Sequence, residues 1–383
     1  MPQALPQLGG RSAAAFLTDF WQKRPLLIRN AFPGFASPLS PEELAGLAME
    51  DDVESRLVKG TYEAMDWQLA HGPFTEEVFT SLPKNDWTLL VQGVDHHIPE
   101  VAELLESFRF VPNWRLDDVM VSYAAPGGSV GPHTDSYDVF LLQGYGERRW
   151  EIAEIGPVCL IDGLGLQIIE DFSPADGWVL EPGDMLYLPP NVPHFGVAQT
   201  ACMTYSVGFK APADQELLAH YFEQVLTHSD PTARYADPEL FPPTSPGRIT
   251  PEVFNKIRET LRDSLGDDAA IDQWFGRFIT QPKEEMEADP DDANVDADLV
   301  LNHLGNGDEL LRSGWTRWAY ATIDGGGELY VNGEAHRHPS ISLLALLCNG
   351  GPLDRGSLST HLERPSSAEL LATLVRAGAL YLP

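Results

Sequence analysis

Between Asp118 and Phe209 the apolar positions come in short runs: "DVMVSYA", "DVFLLQG", "RRWEIA", "GWVLEPGDMLYLPP" and "CMTYSVGF". Gly, Pro and Asp turns separate them, as at Pro126-Gly127-Gly128 and Pro182-Gly183-Asp184. Many short strands with such punctuation predict an antiparallel barrel or jelly roll. The chain before this region mixes element types. "WQKRPLLIRNAF" predicts a strand over Leu26–Arg29 ahead of a Pro-Gly turn. Ser40-Pro41-Glu42-Glu43 is a capping box with proline at the first helical position. "WTLLVQGV" has the length of a buried strand, and Pro99 opens a helix reaching about Phe108.

Beyond residue 210 the apolar period lengthens to that of a helix. Leu217, Leu218, Tyr221, Phe222 and Val225 form one stripe. Val253, Phe254, Ile257, Leu261 and Leu265 form a second, behind a Thr250 cap and Pro251. Ile271, Trp274, Phe275, Phe278 and Ile279 form a third. Such stripes pack on the chain's own core more often than on a second subunit. Residues 283–298, "KEEMEADPDDANVDAD", hold eight acids and one lysine, and predict a solvated hinge. The last region carries the glycine-turned hairpin "WAYATIDGGGELYVNG", helices around 341–348 and 367–377, and a closing "ALYLP" strand. That order suggests a winged-helix-like module. Residues 300–383 hold six arginines, no lysine and eight acids, so there is no basic stripe for nucleic acid and a protein-contact role is expected.

Composition narrows the partners. A length of 383 residues suggests two or three domains. The formal charge is −32, which repels nucleic-acid phosphates and anionic membranes and attracts a basic protein, or serves solubility alone. Three scattered cysteines form no C-x-x-C pair and fit a reducing cytosol. The first residues do not read as a signal peptide, and no apolar run approaches the roughly 18–20 residues that span a bilayer. A cytoplasmic location is therefore expected.

Candidate chemistry centres on "GPHTDSYDVFLLQGYGERRWEI". His133 and Asp135 stand two apart at the expected head of a strand, where side chains at i and i+2 share a face. His194 follows an apolar strand and a proline-stiffened loop in "PGDMLYLPPNVPH", and is the best third ligand. Two imidazoles and one carboxylate on one face of an octahedral metal leave three positions open, as in non-haem Fe(II) oxygenases. A second H-x-D, His228-Ser229-Asp230, ends an amphipathic helix beside Pro231 and reads as helix-end and turn chemistry. Arg148 and Arg149 open the next strand, and only one of them can face inward. A buried guanidinium needs an anionic partner, and the distal carboxylate of 2-oxoglutarate is one; an intrachain salt bridge is the other possibility. Alternation places Tyr137 with His133 and Asp135. It also puts Asp118, Met120 and Ser122 on one face, and Cys202, Thr204 and Ser206 on another.

The spellings "PGGSVGPHTDSYDVFLLQGYGERRWEI", "EPGDMLYLPPNVPH" and "YSVGF" resemble the JmjC-type cupin ribosomal oxygenases. "GPHTDSYDVF" and "RRW" resemble the bacterial branch, which hydroxylates an arginine of large-subunit ribosomal protein sixteen. The resemblance is specific over 110–210 and weaker beyond 290. It implies an α+β multidomain chain with a double-stranded β-helix core, of cupin or jelly-roll type. The expected division is a catalytic domain with N-terminal helices over 1–210, a helical dimerisation region over 211–282, an acidic linker over 283–298 and a winged-helix-like domain over 299–383. It implies Fe(II) on His133, Asp135 and His194, and 2-oxoglutarate on Arg148, with Ser122 as a second contact and hydroxyls of Thr204 or Ser206 nearby. Asp118, Met120 and Tyr137 are candidates for gripping the target arginine. The pattern departs at Thr204, where asparagine is expected. A homodimer and a basic ribosomal-protein partner are implied. The rival activities are histidine hydroxylation or demethylation in the same fold, and a non-enzymatic acidic scaffold that binds ribosomal protein.

Overall fold

The computed structural model describes residues 8–163, 165–282 and 294–383. Most of the expected acidic linker lies outside them. The linker's last residues are already folded, because Val295 is buried and Asp296 caps the helix Ala297–Asn306. By internal contact the chain divides into two units. One holds Met1–Ala211, Met286–Thr316 and Leu346–Pro383; the other holds Pro212–Glu285 and Arg317–Ala345.

The first unit is built on β1 (Leu26–Ile28), β2 (Ser55–Lys59), β3 (Gln68–His71), β4 (Trp87–Val91), β5 (Leu116–Ala124) and β6 (Val139–Tyr145). It continues with β7 (Arg148–Ile152), β8 (Asp176–Leu180), β9 (Met185–Leu188), β10 (His194–Ala198) and β11 (Cys202–Phe209). An eight-stranded antiparallel sheet runs β1-β9-β6-β11-β5-β4-β2-β3, and a three-stranded sheet runs β10-β7-β8. The two sheets face each other through Leu141, Leu186 and Leu188 on the large one and Trp150, Ile152 and Leu180 on the small one. This is the double-stranded β-helix. The outer face of the large sheet is covered too. Phe140, Leu142, Tyr187 and Tyr205 pack there against Phe16, Leu44, Val101 and Phe108. Coverage on both faces explains why "DVFLLQG" reads as a continuous apolar run without alternation.

The local signals act as expected in the covering helices. Ser40 and Glu43 exchange hydrogen bonds, with Ser40 N donating to Glu43 Oε2 at 2.7 Å and Glu43 N to Ser40 Oγ at 3.2 Å. The helix Pro99–Leu105 continues as a 3₁₀ turn to Phe108. The hairpin β2–β3 carried no clear strand signal in the sequence. Near the end of the chain Leu311–Arg312 pairs with Leu380–Tyr381.

The second unit holds helices Asp214–His228, Pro251–Ser264 and Asp268–Ile279 and a three-stranded meander over Trp318–His338. The apolar stripes were expected chiefly as core. Trp274 and Ile279 are buried, but Leu218 is 56% exposed, Phe222 47% and Leu261 63%. Much of the first two stripes is therefore uncovered within the chain. No helix among the described residues is long and apolar enough to cross a membrane.

Candidate metal centre

The barrel brings His133, Asp135 and His194 together. Their ligand atoms lie within 4.8 Å of one another, and they form the only such group among the described residues. The reason differs in one respect from strand alternation. β6 begins at Val139, so His133 and Asp135 stand in the segment ahead of it. Backbone pairing fixes them there. His133 N donates to His194 O at 3.0 Å, His194 N to His133 O at 2.9 Å, and Asn191 N to Asp135 O at 2.7 Å. Asn191 has a φ of +64°, a turn conformation that asparagine tolerates. His194 opens β10 rather than ending a loop.

Each imidazole is oriented by its other nitrogen. His133 Nδ1 lies 3.0 Å from Gly131 O, and His194 Nδ1 lies 2.9 Å from Val192 O. Carbonyls accept only, so Nδ1 carries the proton in both rings and the Nε2 lone pairs are left for a cation. Gly131 has a φ of +80°, and a Cβ there would meet Ile168 at 3.0 Å. Its glycine identity thus sets the carbonyl that aims His133. His194 Nε2 lies 3.6 Å from Asp135 Oδ2. Burial, reinforced by the neighbouring His133, lowers the His194 pKa to about 4, so the ring is neutral at physiological pH. The second H-x-D makes no such site. His228 Nδ1 bonds Gln224 O at its helix end, and Asp230 accepts from Thr232.

Arg148 is the inward member of its pair and is 3% exposed. Its Nη1 donates to Ser122 Oγ at 3.3 Å and its Nη2 to Gly196 O at 3.2 Å. Its plane lies over Trp150, 4.8 Å from the ring centroid. Nε has no hydrogen-bond partner, and among the described residues no carboxylate pairs with it. Burial lowers its pKa, although a guanidinium keeps its charge. Gly196 makes the room, since a Cβ there would lie 2.7 Å from Arg148 Nε. Arg149 points out and pairs with Glu151 at 2.6 Å.

The other expected positions line the large sheet. Ser122 and Thr204 are opposite each other and buried; Ser206, also buried, stands opposite the half-buried Met120. Asp118 is buried and accepts from Gln92 Nε2 at 2.7 Å. Tyr137 sits in a bend and is 41% exposed. Partial burial and then the carboxylates of Asp135, Asp118 and Asp117 raise its pKa, so the phenol stays protonated. Gln143 was not singled out by the sequence. It is fully buried on β6 opposite Thr204, whose Oγ1 donates to its Oε1 at 3.1 Å. An amide in an otherwise apolar strand was the available signal.

The donors fit a divalent iron, with two imidazoles presenting Nε2, one carboxylate and open positions. The unpaired buried guanidinium fits a dicarboxylate cosubstrate. A facial ligand set on a double-stranded β-helix, with such an arginine across the barrel, defines a JmjC-type cupin oxygenase. The JmjC domain family matches residues 103–217, and the ROXA-like winged helix family matches 260–381. Over 366 residues, 95% of each chain, the sequence is 39% identical to the ribosomal protein uL16 3-hydroxylase of Escherichia coli strain K12. It is 37% identical over 279 residues to a probable ribosomal oxygenase of Haemophilus influenzae, covering 69% of this chain and 67% of that one. The crystal structure of E. coli YcfD superposes with a TM-score of 0.88 at 37% identity, covering 98% of this chain and 99% of that one. The structure of E. coli YcfD with cobalt and 2-oxoglutarate does so with a TM-score of 0.86, at 37% identity and 99% coverage of both chains. The chain belongs to the JmjC-type ribosomal oxygenase family.

Proposed function

We propose that this protein is an Fe(II)- and 2-oxoglutarate-dependent hydroxylase whose target is an arginine side chain of large-subunit ribosomal protein uL16. The observation that carries the reading is the buried Arg148 guanidinium, which has an unsatisfied Nε and no carboxylate partner. A fixed charge in that position is costly until an anion meets it. The distal carboxylate of 2-oxoglutarate supplies that anion, with Ser122 as a second donor.

His133, Asp135 and His194 hold the iron. When bound, it supplies the chemistry by which dioxygen and 2-oxoglutarate convert a C–H bond to C–OH, leaving succinate and carbon dioxide. The protein's part is placement. The Nδ1–carbonyl bonds fix the tautomer of both rings and aim their Nε2 atoms at the metal position. Thr204 and Ser206 line the cosubstrate end, and Gln143, anchored by its Nε2 to Tyr145 O and Gly146 O, holds the Thr204 hydroxyl in place. Asp118 receives the target guanidinium, and Met120 and Tyr137 flank its carbon chain.

The substrate is basic, and the chain's charge of −32 suits it. The uncovered stripes of the second unit, Leu218 and Phe222 on one helix and Ile257 and Leu261 on the next, support a homodimer. Free Cys159, Cys202 and Cys348 fit a reducing cytoplasm. The experiment that tests the reading is incubation of uL16 with the iron-loaded protein, 2-oxoglutarate and dioxygen. The expected product is uL16 heavier by one oxygen atom on an arginine, with succinate in equal amount.

A further inference from the structure

The three-stranded sheet ends on one side with the paired row His194, Ile152 and Asp176. The next residues, Pro193, Ala153 and Ala175, line a groove of about 390 Å³ together with Val158, Phe172 and Asp171. Two hydrogen bonds tie this groove to the metal turns. Ala153 N donates to Pro193 O at 2.9 Å, and Ile169 N to Pro132 O at 2.8 Å. Pro193 and Pro132 immediately precede the ligands His194 and His133. The groove wall is thus one residue from His194 along the chain, and one hydrogen bond from the residue that precedes His133.

The wall is braced. Tyr62 OH bonds Glu170 O, and Phe172 N donates back to Tyr62 OH at 3.0 Å. Leu160 and Ile169 form an antiparallel bridge. Beside the groove the same segment exposes apolar side chains, with Ile155 61% exposed and Leu160 42%, and Val158 does so within it. Scattered exposed aliphatics are ordinary, but these lie within six positions beside a groove. Between Ala153 and Ala175 there are four acids and no lysine or arginine. Two of them, Glu154 and Asp171, line the groove.

We propose that this groove is a second recognition site for the ribosomal-protein substrate. It takes an extended segment flanking the hydroxylated residue. An apolar side chain enters among Val158, Ile169 and Phe172, and a lysine or arginine meets Glu154 or Asp171. This rests on the function proposed above and adds where the neighbours of the target residue are read. Charge complementarity selects the occupant, because a groove lined by Glu154 and Asp171 beside the metal turns suits a basic chain whose target side chain is already in the barrel.

The test compares the full-length chain with Val158→Arg and with Glu154→Gln/Asp171→Asn. Both alter exposed positions outside the metal and cosubstrate site. Substrates are whole uL16 and the shortest uL16 peptide that is turned over, with light scattering as a check on assembly. Val158→Arg should lower kcat/KM for whole uL16 by about tenfold, through KM, as loss of one good anchor does. The peptide's kcat/KM and the KM for 2-oxoglutarate should not move. Glu154→Gln/Asp171→Asn should lower the rate for uL16 less and flatten its salt dependence. Undiminished turnover of uL16 by Val158→Arg, or equal losses for protein and peptide, would overturn the groove while leaving the hydroxylase reading intact. A changed subunit number in Val158→Arg would assign the groove to a second copy and also overturn it. Unmodified uL16 with the unaltered chain overturns the hydroxylase reading and takes the groove proposal with it.

Discussion

Arg148 Nη1 donates to Ser122 Oγ at 3.3 Å, joining the small sheet to the large one across the inside of the barrel. Because the guanidinium finds a hydroxyl and a carbonyl but no carboxylate, its charge is free for a ligand. Arg148→Ala should raise the 2-oxoglutarate KM on the order of a hundredfold, the loss expected for a buried charge-assisted pair. Iron affinity should change far less. Arg149→Ala should leave the KM near its normal value, since Arg149 pairs with Glu151 at the surface. Succinate formation against 2-oxoglutarate concentration measures both.

Removing a metal ligand should have a different signature. His133→Ala or Asp135→Ala should abolish succinate formation at every 2-oxoglutarate concentration, because two remaining ligands hold iron poorly. His228→Ala should have no effect, since that ring bonds its own helix end. Titration of the metal-free proteins with Fe(II) under nitrogen separates lost binding from lost turnover.

How these ligands are held was only partly legible in the sequence. The residue types and their turns, "GPHTD" and "NVPH", point to the right three side chains. The placement at a strand head does not hold, because β6 starts after Asp138 and the two turns are locked by a His133–His194 bridge between distant segments. Pairing of that kind is invisible to local periodicity. The choice between Arg148 and Arg149 followed from alternation plus the resemblance, and the burial pattern of β7 agrees with it. Gln143 and the β2–β3 hairpin were missed because their signals depend on tertiary neighbours. The helical stripes were legible as stripes, but periodicity does not say whether the chain itself covers them.

The pH dependence of the metal-free protein follows from His194. Burial lowers its folded pKa to about 4, from the ordinary histidine value of about 6.5. A depressed folded pKa means the unfolded chain takes up the proton first. The stability from keeping this ring neutral is complete above about pH 6.5 and is lost as pH falls toward 4. The metal-free melting temperature should therefore drop across that window. His194→Asn should show a shallower drop over the same range, measured by calorimetry.

The uncovered stripes make a prediction about assembly. Phe222 is 47% exposed and Leu226 74%, on one helix of the second unit. Phe222→Asp/Leu226→Asp should shift a dimer to monomer in light scattering without lowering the melting temperature sharply, because neither side chain is buried within the chain.

Salt should separate long-range attraction from site chemistry. Attraction between exposed charges is screened over about 8 Å at physiological ionic strength. Raising salt should lower kcat/KM for whole basic uL16 more than for a short target peptide. Turnover at saturating peptide should hardly change. Parallel salt dependence for the two substrates would assign the charge of −32 to solubility.

The most direct measurement is peptide mapping by mass spectrometry of uL16 after reaction with the iron-loaded protein, with succinate counted in the same tube. The account predicts one added oxygen atom on an arginine side chain, one succinate per modified uL16, and neither product with Asp135→Ala. Succinate without modified uL16, or oxygen on a histidine instead of an arginine, would contradict it.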